Sequence, residues 1–309
     1  MLLSREKWWS VDNLFIGVTK SFALLVFFLV FAIVASLINS SYPAIDEFGL
    51  QFFTSVVWNP VEEQFSALSA MSGTLLTALI ALVVGVPLSF GIAIFISEIA
   101  PTWLKRPLSI TIELMAGIPS IIYGMWGLFI LAPLLAKYVQ PFLHNAVGNI
   151  PVLGHLLSGP MTGIGLFTAG LILAVMVIPL IAAVMQDLLA TVPTVIREAA
   201  YGAGATRWEV IWQVVVPYIR TGLFGSVILG FGRALGETMA VTFVIGNAHK
   251  LTTALFSPGS SISAVIANEF AEATGTLYPA ALLELGLILF FITFIVLACA
   301  RLLLYRYKH

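Results

Sequence analysis

Charge is scarce in this sequence. Asp, Glu, Lys and Arg make up 9% of its 309 residues and hydrophobic residues 60%, against roughly 25% charged and 45–50% apolar in soluble domains. A soluble fold could not hide this much apolar surface, and a mean hydropathy of +1.05 places the chain in lipid. The net charge of −1 and a pI near 6.4 argue against a nucleic-acid surface. The single cysteine, Cys299, excludes an intrachain disulfide and carries no reading of redox compartment. No Gly-Lys dipeptide occurs, so the G-x4-G-K-[ST] phosphate loop is impossible and the chain is not expected to hydrolyse ATP or hold a cofactor. His144, His155, His249 and His309 lack metal-ligand spacing, and no metal is assigned. Repeats, low-complexity tracts and long hydrophilic linkers are also missing. One membrane domain held by helix packing is the economical reading.

What is present is a series of long apolar runs. A span needs roughly 20 apolar residues to cross about 30 Å of hydrocarbon. Six segments qualify, at residues 20–41, 74–97, 113–136, 163–186, 221–246 and 280–303. The first is read as a retained span. Its run from Phe22 to Ile38 exceeds a signal-peptide core of about 7–15 residues, and no small-x-small cleavage site follows. Eleven of the fourteen Lys and Arg residues fall on one side, among them Arg5, Lys7, Lys20, Lys105, Arg106, Arg197, Arg207, Arg220, Arg301, Arg306 and Lys308. The positive-inside rule makes that side, and both termini, cytoplasmic. The expected fold is therefore all-α and polytopic: a cytoplasmic segment 1–19, a single six-helix domain 20–303 with a cytoplasmic segment 187–220 between spans four and five, and a tail 304–309.

That segment contains "REAAYGAGATRWEVIWQVVVP", residues 197–217. Thr191 and Pro193 suit a helix start, and Gly202 and Gly204 break the helix that follows. Thr206 and Glu209 have capping-box spacing, so a second helix begins there. Trp208, Ile211, Trp212 and Val215 share one face of it, and Pro217 closes it. On these grounds alone the hairpin is either an interfacial anchor or a docking element. The spacing Glu198-Ala199-Ala200, three residues, Gly204, nine residues, then Val214-x-Val216-Pro217 resembles the EAA loop of permease subunits in ABC importers. Valines stand where isoleucine and leucine are usual. The resemblance implies that Glu198, Ala199, Ala200 and Gly204 form a coupling surface for a separate ATPase, which would bind the ATP and Mg.

Span five carries Arg233 and Glu237, four residues apart and so able to pair on one helix face. A charge at a helix centre costs about 2.5–3.5 kcal/mol, so these side chains face protein or water rather than lipid. One reading is a self-neutralising pair that fixes packing. The other is an oxyanion path, in which the planar guanidinium suits phosphate oxygens and the carboxylate accepts the proton that phosphate carries and sulfate lacks. Gly232 and Gly236 form a G-x3-G suited to close helix approach. "GRALGETMAV" (232–241), "ELMAGIPSIIYGMWGLF" (113–129) and "FGLQFFTSVVWNPVEEQF" (48–65) are similar to the PstC-type permease of phosphate-specific ABC importers. That resemblance implies a PstA-like second permease, a PstB-like ATPase dimer, a PstS-like periplasmic phosphate-binding protein, an inner-membrane location, and a transport role for Arg233 and Glu237. Sulfate or molybdate remains the alternative cargo. An ion channel or secondary transporter would leave the coupling segment unexplained, and no hydrolase constellation is present.

Other polar residues read less clearly. Glu284 either contacts span five or sits in the outer interface. Glu113 suits the N-terminus of span three. Gly117, Pro119, Gly124 and Gly127 either loosen that span or pack it tightly. Residues 260–273 suit a short outer helix, as receptor seat or plug, and Trp58 with its neighbouring phenylalanines suits packing on the bundle or headgroups. Trp8 and Trp9 read as interfacial anchors.

Overall fold

The computed structural model describes the backbone of residues 3–148 and 150–307 and the side chains of 12–148 and 150–302. The side chains of Trp8 and Trp9, and the basic residues beyond these limits, lie outside the described residues. Among the described residues six helices are long and apolar enough to cross a membrane: Asp12–Phe48, Leu68–Ile99, Ser120–Val147, Leu166–Ala190, Arg207–Leu235 and Leu277–Leu302. They are called here spans one to six. The side holding both chain ends is the near side. The sole β contact among the described residues is an isolated bridge between Asn59 and Gln64.

Span four is the axis of the bundle. In its most apolar window 61% of residues are buried, against none in the corresponding window of span one. Ile172, Leu173, Val177, Ile181, Met185 and Leu189 run down its length with almost no exposure. Span two lies against it through small residues. Gly85 meets Val177 and Ala174, and Gly170 meets Ile80. Close approach of this kind is what drives helix association where lipid already solvates the apolar side chains. Ser89 Oγ also reaches across to the Ile178 carbonyl at 3.2 Å. Span one, part of a 46-residue helix from Leu3 to Phe48, packs chiefly on span six. At about 1.5 Å per residue that helix is about 69 Å long, over twice the hydrocarbon thickness.

Spans three and five depart from the expected bounds. Residues 113–116 end a separate near-side helix, Thr102–Ala116, and span three starts only at Ser120. Pro119 cannot donate to a helix ladder and occupies the position just before the first turn. Glu113 therefore sits in the last turn of one helix and not at the start of the next. The glycines divide by role: Gly117 ends a helix, whereas a methyl on Gly124 would lie 3.0 Å from the Ala240 Cα and one on Gly127 2.6 Å from Ile172. Span five stops at Leu235, where Gly236 caps it, and a single turn, Met239–Thr242, follows. Hydropathy averaged across this break reads it as continuous. Span five also begins earlier than expected. Its helix starts at Arg207 and passes through a widened π turn, Val210–Val215, directly before Pro217. The wider turn gives the proline ring the room that a regular helix denies it, so Pro217 does not close the helix.

On the far side, Phe52 and Phe65 are buried with Ala44, Ala70, Ile262, Val265, Ala281, Leu282 and Leu285. The loop around Trp58 thus folds on the bundle. The outer helix forms at Ile262–Glu269, and its first four residues are buried. It is built into the bundle, with the Ile262 amide donating to Thr74 Oγ1 at 2.9 Å. Glu284 is 4% exposed, in the span-six stretch that packs on this helix.

Gly73 faces the Ser260 carbonyl so closely that a methyl group would run into it, while Gly91 on the same span has nothing within 4 Å. Gly73→Ala should lower stability by about 1–3 kcal/mol, and Gly91→Ala should leave it unchanged or raise it. Thermal unfolding midpoints of the two variants in detergent check this.

Candidate coupling and translocation sites

The near-side hairpin forms as its local sequence dictates. Pro193 precedes a helix over Thr194–Gly202, and Gly204 turns the chain at φ +88°. The capping box closes in both directions: the Glu209 amide donates to Thr206 Oγ1 at 3.4 Å, and the Thr206 amide donates to Glu209 Oε2 at 2.7 Å. Glu198, Ala199 and Gly204 are exposed, while Ala200 and Ala205 pack on the core. The second helix presents a different face from the one its periodicity suggests. Val210, Ile211 and Val215 are buried, whereas Trp208 is 68% exposed and lies against Trp212 at 5.2 Å between ring centroids. Val195 and Tyr201 are also exposed beside Glu198, an apolar contribution the sequence reading missed.

One residue of the hairpin points inward. Arg197 Nη2 donates to Glu98 Oε1 at 2.9 Å and to the Leu189 carbonyl at 2.7 Å, and Nη1 donates to the Val192 carbonyl at 3.0 Å. Glu98 belongs to a second π turn, Phe95–Ile99, at the end of span two. The pair is 99 residues apart, so no local pattern marks it. Beside it a cavity of about 500 Å³ is lined in part by Ser97, Lys105, Glu113, Gln186 and Asp187. Lys105 Nζ donates to the Ser97 carbonyl at 2.5 Å, and Ser109 Oγ to Gln186 Oε1 at 2.8 Å.

In span five the expected Arg233–Glu237 pair does not form. The helix ends between the two residues, so they do not share a face. Arg233 is exposed and makes no hydrogen bond or ion pair among the described residues; its charge acts on the buried Tyr123 of span three. Glu237 is half-buried. Its Oε1 accepts from the Ala240 amide at 3.4 Å, and its carbonyl accepts from Ser263 Oγ at 2.7 Å. A methyl on Gly232 would meet only Leu297 of span six, at 3.5 Å, and Gly236 ends the helix, so the two glycines do not act together as a close-approach motif. Gly236 and Arg233 are both exposed where the helix ends, on a face that the rest of this chain leaves uncovered.

A far-side cluster, unmarked in the sequence, ties four segments together. Glu269 Oε2 accepts from Trp58 Nε1 at 2.8 Å and from the Tyr278 hydroxyl at 2.6 Å, while Oε1 lies 2.9 Å from His249 Nε2. The Trp58 and His249 rings stack at 5.4 Å. Burial pushes the Glu269 carboxyl up, but the bonds from His249, Tyr278 and Trp58 together outweigh it and hold the group below its usual range.

Residues 85–309 match the family model described as "Binding-protein-dependent transport system inner membrane component". The phosphate transport system permease protein PstC of Pasteurella multocida is 54% identical over 296 residues, covering 96% of this chain and 92% of that protein. That of Haemophilus influenzae is 54% identical over 307 residues, covering 98% and 97%. In backbone, a chain of a bacterial alginate ABC transporter, solved with an alginate-bound periplasmic protein, superposes with a TM-score of 0.56 at 15% identity over 95% of both chains. That likeness concerns the fold alone.

The lowered Glu269 carboxyl has a defined sign in pH. Its contribution is present above the ordinary carboxylate pKa of about 4.3 and is lost as pH falls through the lower folded value. Glu269→Gln should therefore be less stable than the parent at pH 7, with the difference shrinking towards pH 3. Unfolding midpoints across that range check it, and a constant difference would detach the cluster from Glu269 ionisation.

Proposed function

Because the chain belongs to the binding-protein-dependent transport system inner membrane components, and among them to the PstC phosphate transport permeases, we propose that it forms one half of the translocation path of an ATP-driven phosphate importer. It is a transport component, and ATP hydrolysis falls to a separate subunit. A PstA-like permease supplies the other half of the path, a PstB-like ATPase dimer binds ATP and Mg, and a PstS-like protein delivers phosphate on the far side. The excess of Lys and Arg on the near side makes that side cytoplasmic, with both termini inside.

The observation that carries the pathway reading is the interruption of span five between Arg233 and Glu237. A paired guanidinium would have spent its donors. Here the helix end separates the two side chains, and Arg233 keeps its fork free on an exposed face. A planar fork of donors recognises phosphate oxygens bidentately. Glu237, beyond the break, is an acceptor for the proton of a hydrogen phosphate, which sulfate does not carry. The hairpin supports the coupling role in the same way. Glu198, Ala199, Ala203 and Gly204 are exposed on it, and its shape depends on the positive φ at Gly204.

Uptake of labelled phosphate into cells lacking this chain, with and without its restoration, tests the proposal, with labelled sulfate as control. Rescue of phosphate uptake alone is expected; rescue of sulfate uptake instead would overturn the substrate. Arg233→Gln should cut phosphate uptake by about tenfold or more, the scale of losing hydrogen bonds to a charged group, while the complex stays assembled. At Gly204 open space surrounds the Cα, so Gly204→Val acts through backbone strain of about 1–2 kcal/mol. It should insert normally yet co-purify poorly with the ATPase.

A further inference from the structure

The near-side hairpin is joined covalently to span four through residues 191–193 and to span five through its own continuous helix. Span two has no such connection to it. Among the described residues, a ring contact and an ion pair reach across that gap. One is the Trp212 ring on Phe90, 5.6 Å apart, with Trp212 41% exposed. Such an apolar contact has little directional preference. The other is Arg197 on Glu98, and it differs in kind. Both side chains are mostly buried, 19% and 12% exposed. The guanidinium holds three acceptors from two elements: Glu98 at the end of span two, and the Leu189 and Val192 carbonyls where span four ends. Stripping one partner from a buried charge leaves the other uncompensated, so such a contact persists through motions that would separate it.

We propose that the Arg197–Glu98 bridge is the strut by which the coupling hairpin carries span two with it, so that ATPase movement reaches spans two, four and five as one body. This inference rests on the permease reading above. Arg197 is a positioning residue that touches neither nucleotide nor cargo. The geometry fits the task. On the helix Thr194–Gly202, Arg197 and Ala200 face the bundle while Glu198 and Tyr201 face outward. A push on the outer face is thus transmitted within one helical turn to a rigid fork. The π turn Phe95–Ile99 is the feature that ends span two with Glu98 under that fork.

The test uses the complete importer, reconstituted in proteoliposomes with its binding protein, and measures ATP hydrolysed per phosphate taken up. Glu98→Gln and Arg197→Lys should each raise that ratio by about fivefold or more, the lower bound of a typical coupling energy, with unchanged recovery of the assembled complex. Glu98→Asp, which keeps the charge, should lie closer to the parent. An unchanged ratio, whether both rates hold or fall together, overturns the strut. So does failure of Glu98→Gln to enter the complex when Glu98→Asp enters it with an unchanged ratio, since the bridge is then only a folding contact. A parent complex without phosphate uptake would instead sink the permease reading, a separate outcome seen in the control.

Discussion

In the hydrocarbon of a bilayer no water competes for a backbone amide, so every interruption of a helix has to be closed by the protein itself. Two helix ends in this bundle, at 117–119 and at 236–238, are closed in different ways. At 117–119 the closure is local. The Gly117 amide reaches back to the Glu113 and Leu114 carbonyls, the Ile118 amide to that of Met115, and the Tyr123 hydroxyl donates to Met115 as well. At 236–238 part of the closure is borrowed, because the Glu237 carbonyl is satisfied by Ser263 of the far-side helix. The far-side helix is thus part of the break it covers, and the exposed Arg233 face is the side left without protein.

The same constraint separates the rigid from the movable. Span four, buried along its length and locked to span two by glycines on both helices, supplies the fixed axis. Polar connections sit on the near and far sides of the bundle, outside the apolar middle. On the near side Arg197 gathers the ends of spans two and four. On the far side Glu269 gathers Trp58, His249 and Tyr278. Each uses a carboxylate in a mostly buried setting, where hydrogen bonds are directional and worth more than in water.

What was legible in the sequence follows from the range of each signal. Six apolar runs, the capping box at Thr206 and Glu209, and the turn at Gly204 are local, and the fold reproduces them. The end of span five was not legible. Gly236 reads equally well as a packing glycine and as a helix stop, and hydropathy windows average over the difference. The Arg233–Glu237 pairing failed for that reason, since its four-residue spacing presumed an unbroken helix. Pro217 misled in the opposite direction, because a widened turn accommodates it. The Glu98–Arg197 bridge and the Glu269 cluster lie beyond sequence reasoning altogether, as their members meet only after the spans have packed.

Two of the four π turns among the described residues, Phe95–Ile99 and Val210–Val215, lie in spans two and five. Each residue of an α-helix turns the chain by about 100°, so adding or removing one residue within span two swings Glu98 about 100° away from Arg197. Adding seven, about two turns, brings it nearly back into register while lengthening the span by about 10 Å. Chain length in spans two and five is therefore an angular variable. A change in residue number there turns Glu98 relative to Arg197 unless a local widening of the helix, such as a π turn, absorbs the added residue.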